Sequence, residues 1–350
     1  MTIRNLVSYG RDARPGRFSL LLLAIVTVLA SQLSNASADP ISDLRALSLF
    51  KDADLNRLAG GDVLAKQRSP VGRALTVESA YVLRVPVKMA VSLHRQWNAS
   101  RYPELRVYMQ SDIGKSGDFQ RLASAPSSSA VRAFVEATQK LPNDPSKLQL
   151  SNAEARMFVP ESGGGEAMPA AVVSFWNKIL SQRLQSFLSG GLSAQPPYET
   201  GGSTLRVSDE VARLIQGSGS ARSQFEPIIS ATPVGGGRGS PSPYWTLFDV
   251  DGMAAVSLNA SYGKAVGDGW QELDLGYYAS GGFYALVTLY QMWPVKVGDQ
   301  DATLVWRVDL TSASAIGNLR GVERLGSGAA MMRDIQKNVK AFVRESGGAR

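Results

Sequence analysis

Residues 282–343 read GFYALVTLYQMWPVKVGDQDATLVWRVDLTSASAIGNLRGVERLGSGAAMMRDIQKNVKAFV, and this stretch decides the fold. Phe283, Ala285, Val287 and Leu289 fall on alternate positions between Gly282 and Met292. Leu304, Trp306, Val308 and Leu310 do the same between Thr303 and Leu310. Period-two alternation puts one set of side chains on one face, so both runs predict antiparallel strands with an apolar face. From Ala315 to Val343 the period changes. Ile316, Leu319, Val322, Leu325, Met332, Ile335, Val339 and Phe342 recur at steps of three, four or seven, which predicts a long amphipathic helix. Gly317, Gly321, Gly326 and Gly328 each cost about 1 kcal/mol against alanine in a helix interior, and they mark a close approach or a break. A twisted sheet closing on one terminal helix leaves a hollow between them, and that hollow is expected to bind a ligand.

Outward from this stretch, Tyr244 to Val250, Met253 to Ser261 and Trp270 to Leu275 read as further antiparallel strands. Val234 to Pro243 is a Gly/Pro/Ser-rich loop. Nearer the N-terminus, Asp62 to Gln67 is a short strand. Arg73 to Val85 alternates, with Leu75, Val77, Tyr81 and Leu83 on one side and Thr76, Glu78 and Arg84 on the other. Pro86 opens a helix, as proline can in a first turn, with Met89, Ala90, Leu93 and Trp97 as its buried stripe. Leu105 to Met109 returns as a strand. Between these blocks, Val131–Leu141, Asn152–Val159, Pro169–Leu188 and Val207–Gln216 are predicted helices separated by turn-rich stretches. The expected organisation is therefore an N-terminal part over 39–122, a helical insertion or lid over 123–220, and a C-terminal antiparallel sheet and long helix over 221–350.

Residues 1–38 have the composition of a secretory signal peptide. Arg4, Arg11, Arg14 and Arg17 precede the apolar run Phe18 to Ala30, and Ala36-Ser37-Ala38 ends in a small-x-small cleavage site. The run falls short of the roughly 20 apolar residues that span a bilayer. Cleavage is expected before Asp39, giving a periplasmic or extracellular protein with no integral membrane segment. It removes four arginines and Asp12, so the formal charge falls from +7 to +4. Mild basicity without a Lys/Arg run predicts no nucleic-acid partner. The chain has no cysteine, which excludes disulfides and thiolate chemistry.

His94 is the sole histidine, in a predicted helix and without a Gly-x-Ser-x-Gly elbow elsewhere, so a structural or surface role is expected rather than a catalytic one. One histidine and no cysteine also exclude the usual zinc ligand sets, and no metal or cofactor is expected. Asp249-Val250-Asp251-Gly252 lacks the first ligand and the terminal acid of a calcium loop and reads as a turn. Arg307 and Asp309 fall on the polar face of their strand and are expected to make surface contacts. Gln291 is a polar residue continuing the apolar Phe283–Leu289 face: either a group that orients a ligand or the exposed end of a strand.

Strand, strand, Pro-started helix, insertion, antiparallel strands and a long C-terminal helix is the element order of the helix-grip fold. Val82-Leu83-Arg84-Val85-Pro86-Val87-Lys88 enters the first helix. Thr303-Leu304-Val305-Trp306-Arg307-Val308-Asp309 leads to the helix containing Met331-Met332-Arg333-Asp334-Ile335. On these residues the chain resembles the START-like (SRPBCC-type) superfamily of lipid and hydrophobic-ligand binding domains, chiefly across 62–110 and 225–345. The resemblance implies an α+β domain of helix-grip type whose cavity takes a hydrophobic small molecule or lipid. Tyr81, Phe283, Leu289, Gln291, Trp306 and Met332 are the expected ligand-binding residues, with plain core as the alternative for the aromatics. The expected role is a non-catalytic carrier. An enzyme working on a lipid or polyketide-like substrate in the same cavity and an envelope protein-interaction domain are the alternatives.

Overall fold

The alternation that predicts strands around Gly282–Leu310 continues well past the predicted ends. A computed structural model describes residues 39–114, 119–141, 143–144, 147–160, 168–200, 203–313 and 321–346. In chain order its strands are β1 (Leu64–Gln67), β2 (Ala74–Leu83), β3 (Val107–Asp112), a separate small hairpin of β4 (Tyr198–Thr200) and β5 (Ser203–Leu205), then β6 (Ser242–Val250), β7 (Met253–Val266), β8 (Gly269–Ala279), β9 (Ala285–Val297) and β10 (Gln300–Ser312). Eight of them form one antiparallel sheet in the order β1-β2-β10-β9-β8-β7-β6-β3. The first long strand thus pairs with the last, Ala74–Leu83 running against Thr303–Ser312. The β6–β7 connection is a tight hairpin. Asp251 and Gly252 adopt φ values of +51° and +83°, and the Asp249 carboxylate accepts from the Gly252 N–H at 2.9 Å, so these acids make the expected turn.

The helices are α1 (Pro40–Leu47), α2 (Leu55–Ala59), α3 (Val87–Gln96), α4 (Ser129–Gln139), α5 (Asn152–Ala155), α6 (Ala170–Gly190), α7 (Val207–Gly217), α8 (Ser220–Ala231) and α9 (Gly321–Glu345). The molecule is therefore α+β, with a large antiparallel sheet and a C-terminal helix. Ser128 caps α4 through the Val131 N–H, and α5 opens with a Ser151/Glu154 capping box. α5 is shorter than its predicted span, and α8 was not expected: Pro227 inside it removes a backbone donor, and burial of Phe225, Ile228 and Ile229 compensates. Met89 is 54 % exposed while Ala90 and Val91 are buried, so the apolar stripe of α3 is rotated from the predicted one. No helix among the described residues is long and apolar enough to cross a membrane. The expected signal peptide, and the part of the predicted final helix over 315–320, lie outside the described residues.

The two faces of the sheet carry different layers. On one, α1, α2, α4, α7 and α8 pack against a core of Val82, Leu258, Leu275, Leu289, Leu304, Trp306 and their neighbours. Thus the insertion helices form a layer beneath the sheet rather than a cover over the opposite face. Their own core is aromatic and partly charged. Trp176 donates to the Thr138 hydroxyl at 3.0 Å, Phe187 stacks on Tyr277 at 3.8 Å, and Arg183 is buried with Glu154 at 2.6 Å. On the other face, α9 lies over β1 and β2, and α3 lies over β8, β9 and β10. There Ile335, Val339, Phe342 and Val343 pack with Leu75, Val77, Tyr81 and Val305.

Candidate ligand-binding cavity

Strand registers assemble the cavity floor. Arg307 pairs across with Tyr290, and Tyr290 with Glu272; two residues along, Asp309 pairs with Thr288, Thr288 with Asp274, and Asp274 with Ser261. Because side chains alternate faces, both rows project to the same side, the side covered by α3 and α9. Between this floor and the two helices lies a cavity of about 590 Å³, lined by Tyr81, Glu272, Asp274, Tyr290 and Arg307 from the sheet, with His94 and Trp97 from the α3 region and Val339 and Phe342 from α9. A hollow between sheet and terminal helix is thus present, but its floor is polar.

Each charge on the floor has a defined setting. Arg307 donates to both Asp309 oxygens, at 2.8 and 2.7 Å, while Thr288 donates to Asp309 at 3.0 Å. Asp309 is buried and Arg307 largely so, which corrects the surface role expected for both: α3 and α9 cover the strand face that alternation left polar. Burial alone would weaken the guanidinium's hold on its proton, but Asp309 and the surrounding groups outweigh it and keep Arg307 charged. The Arg307 guanidinium also lies 5.4 Å from the Tyr290 ring centroid.

His94 stands between an acid and a phenol, with Nδ1 3.3 Å from a Glu272 oxygen and Nε2 3.0 Å from the Tyr81 hydroxyl. The carboxylate favours the proton on Nδ1, leaving Nε2 to accept from Tyr81. Trp270 donates to the other Glu272 oxygen at 3.2 Å. That reach depends on Gly263, since a Cβ there would lie 2.6 Å from the Trp270 ring. Edge-to-face contacts with Tyr290 at 4.8 Å and Phe342 at 4.5 Å fix the imidazole plane. The carboxylate–imidazole–hydroxyl order resembles a nucleophile relay, yet burial pushes the Tyr81 phenol above its usual range, the reverse of what an activated nucleophile needs.

Asp274 is the least settled acid. Burial, then the neighbouring Glu272, pushes its carboxyl from an ordinary 3.8 up to about 6, against the opposing pull of the Ser261 hydroxyl, His94 and Arg307. Its Oδ1 is a buried atom without a hydrogen-bond partner. The folded state therefore binds this proton more tightly than the unfolded chain does. Stability from this group is full below about pH 4 and is lost as pH rises through about 6. Asp274→Asn is expected to flatten the fall in stability between those limits, measured by urea unfolding at stepped pH. An unchanged slope in the variant would refute the assignment.

The six residues expected to bind ligand divide between the two faces. Tyr81 lines the cavity, and half-buried Met332 and Phe283 pack on the same side of the sheet. Phe283 precedes β9, between bends at Gly282 and Tyr284, so it does not share the face of Leu289 as strict alternation predicts. Leu289, Gln291 and Trp306 point to the opposite layer. Trp306 lies 5.4 Å from Phe225 of α8 and donates to buried Glu78 at 3.2 Å. Gln291 is neither an exposed strand end nor a cavity group. It accepts from Gln271 at 2.8 Å and from Gln224 at 3.1 Å, tying α8 to the sheet. Sequence reasoning missed Glu272, Asp274 and Tyr290, although polar side chains recurring two apart on three neighbouring strands could have revealed a shared polar face. Among the described residues, no group of three His, Cys, Asp or Glu side chains is arranged to hold a metal ion. No protein-family model, curated protein or solved structure matches the chain.

Proposed function

We propose that this protein is an exported, non-catalytic binding protein or carrier for a small molecule or lipid with an apolar body and one polar group, held in a helix-grip arrangement. The observation that carries this reading is the cavity of about 590 Å³ under α9, with a charged floor and apolar walls at Trp97, Val339 and Phe342. That volume is in the ordinary range of small-molecule sites, where apolar walls bind and a few polar groups orient. Apolar contact contributes about 25 cal/mol per Å² removed from water, so a short hydrocarbon chain supplies much of the affinity. Support for the helix-grip reading comes from α3 and α9 lying on one sheet face and from β2 pairing with β10. The Glu272–His94–Tyr81 chain favours a second reading, an enzyme working in the same cavity by proton transfer.

Solvent extraction of the purified protein, followed by mass spectrometry of the extract, tests the proposal. An amphiphile retained in near-stoichiometric amount is the expected result. Its conversion to a product on incubation would favour the enzyme. An empty extract, together with no stabilisation by any member of an amphiphile library, would sink both.

A further inference from the structure

We infer that the polar group recognised by this cavity is a protonated primary amine on an apolar chain, seated at Asp274. The inference rests on the ligand-binding reading above and adds the sign and chemistry of the ligand. Glu272 and Asp274 lie two residues apart on β8 and both line the cavity. The cations nearby do not cancel them. Arg307 is committed to Asp309 through both of that acid's oxygens, and Arg95 is exposed, 5.6 Å from the Trp270 ring centroid. Glu272 is occupied by His94 and Trp270. Asp274 keeps one buried oxygen, Oδ1, that receives no hydrogen bond.

With Oδ1 sealed and unpaired, the cavity-facing edge of this carboxyl is left short of donors, and the surrounding rings prefer a cation. Tyr244, Tyr290, Trp97 and Phe342 line the same cavity, and aromatic faces attract ammonium groups. An ammonium brings three donors and a positive charge, an alcohol one donor and no charge. A carboxylate ligand would meet Glu272, Asp274 and, at the rim, Asp112 as like charges. Val339 and Phe342 supply an apolar wall for a chain, which favours an amphiphilic amine over a small free one.

Calorimetric titration of the purified protein at neutral pH with n-octylammonium, 1-octanol, octanoate and ethylammonium tests this. Octylammonium is expected to bind at least about tenfold tighter than octanol, the worth of one charge-assisted hydrogen bond. Octanoate and ethylammonium should bind more weakly still. Asp274→Asn should erase the advantage of octylammonium over octanol. Its unfolding midpoint, measured alongside, should not fall, because burial already opposes a charge at this position. Equal binding of octanol and octylammonium, or tighter binding of octanoate, would overturn the inference and leave the carrier reading standing. An advantage that survives in Asp274→Asn would overturn the assignment to that residue. Ethylammonium matching octylammonium would overturn the amphiphile. If none of the four binds, the inference falls, while the carrier reading is decided by the solvent extract and the amphiphile library.

Discussion

Trp306→Ala is expected to lower the free energy of unfolding by about 3–5 kcal/mol, the usual loss when a buried aromatic is truncated to alanine. The indole is fully buried at the centre of β10 and faces the helical layer rather than the cavity. It packs against Phe225 at 5.4 Å and stacks on Trp293 at 6.4 Å, so its removal opens a void between sheet and α8 that neither element can easily close. Its N–H bond to Glu78 is the smaller part of the loss. That carboxylate keeps Arg68 at 2.5 Å and the Leu49 N–H at 3.0 Å. Trp306→Phe should therefore cost clearly less than the alanine variant. Chemical denaturation measures both. A cavity ligand should bind the folded alanine variant as it binds the native protein, and a loss below about 1 kcal/mol would contradict the packing described.

Arg307→Met should destabilise by a comparable amount, about 3–5 kcal/mol, for an electrostatic reason. Methionine replaces most of the stem, but Asp309 is left as a buried acid with Thr288 as its remaining side-chain donor. The cost is the desolvation of that orphaned charge, no longer offset by the guanidinium. The double variant Arg307→Met, Asp309→Leu removes both charges. It should recover most of the loss, since an apolar pair of similar volume is often as stable as a buried ion pair. Urea unfolding of the two singles and the double supplies the coupling energy. A double variant no more stable than Arg307→Met would show that packing, not pairing, governs this position.

These two neighbours on one strand show where local reasoning reaches and where it stops. Trp306 and Arg307 lie on opposite faces by alternation alone, and the sequence assigns each to the right face. It does not say what covers a face. The polar face of β8, β9 and β10 reads as solvent-facing because most one-sided antiparallel sheets are wetted there. In this molecule α3 and α9 lie across it, so Glu272, Asp274 and Arg307 become a largely buried cavity floor, with Asp309 buried beside it. Equally, the apolar face of Leu289 and Trp306 was expected to line the hollow beneath the terminal helix, and α8 occupies it instead.

What the sequence determined by itself is what periodicity encodes: an antiparallel sheet built from period-two strands, a Pro-started helix after β2, an amphipathic C-terminal helix and a helical segment between the two strand blocks. Those features follow from short-range geometry, in which side-chain direction is fixed by backbone repeat. Only the tertiary structure decided which helical layer takes which face, that Gln291 ties α8 to the sheet, and that the sole histidine sits between Glu272 and Tyr81. Most such choices depend on contacts between residues far apart in the chain, as when β2 pairs with β10. No local pattern records them, because burial depends on the partner that arrives and not on the strand that waits for it.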